Sequence, residues 1–150
     1  MKTAPGIVAG AASRMPTNRG QSREKRIVVP KEFSVAVIDD DDPFREALAD
    51  SLQSLGYLAR GYTSADEFLA TKTEDPCDCI VTDIHMPGTN GLDLKRQLAQ
   101  RGSRVPVIMI TARAEPELEA QVAASGAICL LRKPFESNDL IGYLEKALKA

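Results

Sequence analysis

The sequence predicts an α/β fold: a doubly wound, five-stranded parallel sheet with five helices. Three observations carry that expectation. After residue 32, short apolar β-branched runs alternate five times with stretches of helical apolar spacing. Gly or Pro punctuates most of the junctions. One run, "VPVIMIT", is apolar almost throughout, as a strand covered on both faces must be.

Each element has its own signal. "VAVI" (35–38) is the first strand. Pro43 suits the first turn of a helix, where a missing N–H costs nothing. Phe44, Ala47, Leu48, Leu52 and Leu55 then recur at helical spacing up to Gly56. "YLARGY" is a second, weaker strand. Ser64 and Glu67 form a capping-box pattern for a short helix carrying Phe68 and Leu69. "CDCIVTD" is the third strand, "MPGTNG" a turn-rich loop, and "LDLKRQLAQRG" a helix closed by Gly102. After "VPVIMIT" comes a helix from Pro116 to Ser125, with Leu118 and Val122 inward and Gly126 at its end. "ICLL" is the fifth strand. Ser137 is expected to cap the last helix, with Leu140, Ile141, Leu144 and Leu148 inward.

Composition narrows the class. Hydrophobic residues make up 43% and charged residues 27%, an ordinary globular balance, and no apolar run approaches the length of a membrane span. The first residues read as a tail rather than a signal peptide. The net charge of −2 hides an asymmetry: residues 1–32 carry seven Lys or Arg and two Glu, against 12 basic and 19 acidic residues in the rest. Rich in Gly, Pro, Ser and Ala and without periodicity, residues 1–32 read as a disordered basic N-terminal arm, leaving 33–150 as the folded domain. Such an arm is a solvated leader or a contact for nucleic acid or an acidic partner, the leader being the plainer reading. Cys77, Cys79 and Cys129 match neither a zinc pattern nor a disulfide framework, so they read as structural thiols of a protein in the reducing cytoplasm.

In open parallel sheets, ligands bind outside the carboxyl ends of the strands. The first strand ends at Asp39 and Asp40, the third at Asp83, the fourth at Thr111 and the fifth at Lys133 and Pro134. Three convergent carboxylates need compensation, which a hard divalent cation such as Mg2+ supplies through oxygen ligands. An ammonium and a hydroxyl around a carboxylate then suit phosphoryl transfer, with Asp83 as nucleophile forming an acyl phosphate. Asp41 and Asp42 need no such role, because acidic residues at a helix N-terminus favour its dipole.

"VAVIDDDDPF", "IVTDIHMPGTNGLDL", "VIMITA" and "LLRKPF" resemble the receiver domain of two-component response regulators, chemotaxis and nitrogen-fixation regulators among them. The separations fit as well: 43 residues from Asp40 to Asp83, 28 to Thr111 and 22 to Lys133. The resemblance covers about residues 33–149 and implies a flavodoxin-like sheet of strand order 2-1-3-4-5. It implies that Asp83 is the phosphoacceptor of a sensor histidine kinase, and that Asp39, Asp40, Asp83 and the backbone carbonyl of His85 hold Mg2+. It further implies that Thr111 and Lys133 contact the phosphoryl group and that the peptide before Pro134 is cis. Met86-Pro87 and Gly91 match the loop after the phosphoacceptor. One departure stands out: Leu130 occupies a position that is usually Tyr or Phe, so the aromatic half of the Thr–aromatic switch is missing or replaced. The side chains of His85 and Arg113 are expected at the rim of the site.

The implied function is signalling rather than enzymatic, with self-phosphorylation and self-dephosphorylation as its only chemistry. The implied partners are the kinase and an output protein or domain. A face built from residues 115–149 is expected to meet the partner or a second copy, with no membrane contact and none to nucleic acid expected of the domain itself. Because the chain ends soon after the last helix, a stand-alone regulator and a piece of a longer one both fit. Two alternatives remain beside this. A degenerate receiver would bind partners without phosphorylation. A haloacid-dehalogenase-like phosphohydrolase would use Asp39 as nucleophile and Asp41 as acid/base, although no second acidic pair follows Lys133 and no cap insertion fits the chain.

Overall fold

In the computed structural model, residues 33–71, 77–113 and 115–149 are described. The expected arm over 1–32 lies outside them. Ten elements alternate: β1 (Ser34–Ile38), α1 (Asp42–Ser54), β2 (Leu58–Tyr62), α2 (Ala65–Ala70), β3 (Cys79–Asp83), α3 (Gly91–Gln100), β4 (Val107–Thr111), α4 (Pro116–Ser125), β5 (Cys129–Arg132) and α5 (Ser137–Lys149). All strand pairs are parallel, in the order β2-β1-β3-β4-β5.

The two-residue period of a strand divides the core into two layers. Val35 and Val37 of β1, Cys79 and Val81 of β3, Ile108 and Ile110 of β4 and Leu131 of β5 join Leu52 of α1 and Leu140 and Leu144 of α5. Ala36 and Ile38, Ile80, and Val107 and Met109 join Ala65 of α2, Leu94 of α3, and Leu118 and Val122 of α4. β1, β3 and β4 are therefore apolar on both faces, and β4 is fully buried. The same alternation reaches past the strand ends. Asp39, Asp83 and Lys133 are in phase with the α1/α5 layer, whereas Thr111 is in phase with Val107 and Met109 of the other.

Local chemistry sets the helix starts. The Asp41 carboxylate caps α1 by accepting the Phe44 N–H at 3.2 Å. Ser64 accepts the Glu67 N–H at 2.9 Å, and Glu67 reaches back to the Thr63 N–H, completing the reciprocal cap one residue earlier than the standard capping box. Asn90 caps α3 through the Asp93 N–H at 2.8 Å. Gly126 ends α4 at φ +86°, a left-handed position where glycine carries no side-chain penalty.

Three expectations shift. Leu55 caps the C-terminus of α1 and is 58% exposed, and Ala47 is exposed, so the apolar face of α1 is narrower than its spacing suggests. Ser137 lies in the first turn of α5 rather than ahead of it. β5 begins at Cys129, so Ile128 stays outside the strand and 43% exposed. The thiols behave as expected of structural cysteines: burial pushes Cys77 and Cys129 up to about 11 and Cys79 up to about 12. Among the described residues no helix is long and apolar enough to cross a membrane.

Two glycines should respond oppositely to a methyl group. A Cβ at Gly91 would lie 2.7 Å from the backbone oxygen of Asp83, so Gly91→Ala is expected to destabilise by about 1–3 kcal/mol through overpacking. A Cβ at Gly142, within α5, would meet open space, so Gly142→Ala is expected to stabilise by about 0.5–1 kcal/mol. Urea unfolding of both variants measures the two signs.

Candidate functional site

The carboxyl edge of the sheet brings Asp39, Asp40, Asp83 and Lys133 together. Carboxylate oxygens of Asp39, Asp40 and Asp83 all lie within 4.8 Å of one another. The Lys133 ammonium lies 2.9 Å from Asp39 Oδ2 and 3.8 Å from Asp83 Oδ2. Asp39 is 1% exposed, Asp83 is buried and Asp40 is exposed, so the cluster grades from core to solvent.

Backbone bonds hold each residue in place. The Asp39 N–H donates to the Tyr62 carbonyl at 3.1 Å, which extends β1 past its last ladder residue. Its side chain accepts the Asp41 N–H at 2.9 Å. The Ile84 N–H donates to the Ile110 carbonyl, and the Gly91 N–H to the Ile84 carbonyl, each at 2.9 Å, which turns the chain sharply after Asp83. The Lys133 N–H donates to the Thr111 carbonyl at 2.8 Å, tying the fifth strand end to the fourth. The Lys133–Pro134 peptide is cis.

Thr111 takes a different position. It is fully buried, and its hydroxyl accepts the Arg113 N–H at 3.0 Å and donates to the Arg113 carbonyl at 3.4 Å, so it is committed to its own loop. The strand phase explains this, since Thr111 belongs to the layer opposite Asp83 and Lys133. Leu130 is half-buried and packs on that same opposite layer, paired in register with Met109.

Asp83 is the strained charge of the site. Burial raises its carboxyl above the ordinary value of 3.8, and the charges of Asp39 and Asp40 push the same way; Lys133 and the His85 backbone N–H oppose them. Burial is the larger cause, and the neighbouring carboxylates add to it. The donor set is all oxygen and closely spaced, with one exposed member, and it fits a hard divalent ion that keeps part of its water shell.

For several supporting residues, apolar spacing gave no sign of a place at the site. Arg45 is 9% exposed; its guanidinium donates to the Asp39 carbonyl at 2.8 Å and pairs with Asp42 at 2.8 Å. Room for its stem comes from β2, where a Cβ on Gly61 would sit 3.1 Å from Arg45 Cδ. Phe44 lies under Lys133, with the ammonium 4.0 Å from its ring centroid. At the rim, Glu115 stands between the two expected residues, 3.8 Å from His85 Nε2 and 4.0 Å from Arg113 Nη1. The i, i+3 spacing of Asp42 and Arg45 was the one legible hint; Phe44 with Lys133 and Glu115 with His85 meet across elements. Asp41, the acid/base of the phosphohydrolase alternative, spends its carboxylate on the helix cap.

Comparison with known proteins agrees with this fold. The response regulator receiver domain family matches residues 35–145. The response regulator protein TmoT of Ectopseudomonas mendocina is 34% identical over 119 residues, covering 79% of this chain and 54% of its own length. The transcriptional regulatory protein FixJ of Azorhizobium caulinodans is 38% identical over 120 residues, covering 80% and 57%. The chain thus spans about half the length of these curated relatives. The crystal structure of FixJ-N superposes with a TM-score of 0.74 at 30% identity, covering 80% of this chain and 96% of that one.

The raised carboxyl of Asp83 has a thermodynamic consequence. A folded-state value above the unfolded one means that this group's stability contribution is complete below 3.8 and is lost as pH rises through the folded value. In chelator, Asp83→Asn should therefore melt at a higher temperature than the wild type at neutral pH, with the gap closing as pH falls toward 3.8. Thermal melts across that range test the sign.

Proposed function

This chain belongs to the response regulator receiver domain family, and we propose that it accepts a phosphoryl group on Asp83 from the phosphohistidine of a sensor kinase, in a Mg2+-dependent reaction in the cytoplasm. The observation that carries the reading is the pairing of a buried, charge-frustrated Asp83 with a Lys133 ammonium 3.8 Å away. Residues 33–150 would form the receiver, with 1–32 as an appended arm.

The chemistry follows from the side chains. An Asp83 carboxylate oxygen attacks phosphorus, the P–N bond to the donor imidazole breaks, and its electron pair stays on that nitrogen. A bound Mg2+, held by Asp39, Asp40, Asp83 and the His85 carbonyl, would supply positive charge toward the phosphoryl oxygens. Lys133 moves from Asp39 toward the new oxygens and neutralises part of their charge. Thr111 turns its O–H from the Arg113 carbonyl to the same group, which shifts the β4–α4 loop. That shift reaches the face of α4, β5 and α5, where an output protein, an output domain or a second copy reads it. Leu130 makes this route independent of an aromatic side chain at that position.

Incubation with acetyl phosphate and Mg2+ tests the reading by intact mass. A labile gain of one phosphoryl group that requires Mg2+ and disappears in Asp83→Asn is the expected result. No gain in a folded wild type would leave a receiver that acts without phosphorylation. The rim gives a second expectation: replacing both His85 and Arg113 by Ala opens the site to water and should change the dephosphorylation rate several-fold, measured as decay of the phosphorylated mass.

A further inference from the structure

We propose that Phe44 is a positioning residue for Lys133, its ring face holding the ammonium in the gap between Asp39 and Asp83. The inference deepens the proposed function and rests on it for its kinetic consequence, while the contact itself stands on geometry alone.

Lys133 Nζ lies 4.0 Å from the centroid of the Phe44 ring, well inside the range of cation–π attraction. The Lys133 side chain is only 16% exposed, and such contacts strengthen as water is removed. The ammonium is therefore enclosed by two carboxylates, at 2.9 and 3.8 Å, and one aromatic face. The ring is itself fixed at both ends. Its backbone N–H is bound by the capping carboxylate of Asp41, which sets where α1 begins. The ring meets Phe135 in a T-shaped contact, with centroids 6.0 Å apart and planes at 78°, which restrains the ring plane.

This arrangement meets a specific need. A lysine has four side-chain torsions and a strongly hydrated head, and it moves to water when its carboxylate partner is engaged elsewhere. Asp39 is that partner here, and in the proposed reaction its oxygens are wanted for another ligand. A ring face attracts the ammonium in every protonation or ligation state of Asp39. Phe44 thus keeps Lys133 within reach of Asp83 while leaving the carboxylates free. The plain alternative is that Phe44 merely fills space against the α1/α5 layer, where it also packs.

The full chain can distinguish these roles with Phe44→Leu, Phe44→Tyr, Lys133→Met and the double variant Phe44→Leu/Lys133→Met. With acetyl phosphate as donor, Phe44→Leu should slow phosphorylation about three- to tenfold, and Phe44→Tyr should stay within about twofold of wild type. In the Lys133→Met background Phe44→Leu should add nothing, because the residue it positions is gone. An equal loss in both backgrounds would mark a packing role and overturn the proposal. A second readout needs no phosphorylation. In NMR spectra of lysine-labelled protein, the Lys133 ε-protons should be shifted upfield by the ring, keep that shift in Phe44→Tyr and lose it in Phe44→Leu. If the wild type takes no phosphoryl group but shows the shift, the proposed function fails and the positioning contact stands. If the shift is absent from the wild type, the positioning contact is overturned.

Discussion

Three carboxylates at one end of a parallel sheet repel one another, and a single ammonium holds them there. Lys133 reaches Asp39 at 2.9 Å and Asp83 at 3.8 Å, from a strand two places away in the sheet from β3 and three from β1. The compensation is incomplete, with one ammonium against three carboxylates, and burial keeps Asp83 raised even with Lys133 beside it. An attraction that falls short of neutrality leaves a site receptive to more positive charge. It also explains why so many neighbours are spent on geometry: the Asp39 carbonyl on Arg45, the Lys133 N–H on Thr111, the ammonium on Phe44.

The run of four aspartates divides by the place where β1 ends and α1 begins. Asp39 points back into the charge cluster, and Asp40 joins it from the solvent side. Asp41 caps the helix, and Asp42 pairs with Arg45 in the first turn. One short segment therefore supplies charge to the site and anchors the helix that carries Phe44 and Arg45 beneath it. Its crowding is tolerable because the four carboxylates face different partners: Lys133, solvent, a backbone N–H and a guanidinium.

The loop after β4 connects this site to the surface. Thr111 is tied to Arg113, Arg113 lies near Glu115, and Glu115 begins the path into α4 while lying 3.8 Å from His85 Nε2. In the proposed function, a change in what Thr111 contacts is passed along these bonds to the start of α4. Leu130 sits on the same layer as that helix, where an apolar side chain packs without needing a hydrogen-bond partner.

The fold was legible because period-two and period-3.6 patterns report burial directly, and burial decides a doubly wound sheet. The strand ends, and with them Asp39, Asp40, Asp83 and Lys133, followed from that pattern and from the rule that parallel sheets bind ligands at their carboxyl edge. The orientation of Thr111 did not follow, because its phase relative to Asp83 depends on the register between β3 and β4, which no single strand encodes. Arg45 was invisible because a buried guanidinium breaks the apolar pattern, and its place is granted by the missing side chain of Gly61 on another strand. The contact of Glu115 with His85, and that of Phe44 with Lys133, join segments far apart in the chain. The sequence by itself determined which residues lie at the sheet's functional edge, since alternation and charge are local properties. Tertiary structure alone decided which of them touch, because those distances are set by strand register and by helix placement across the sheet.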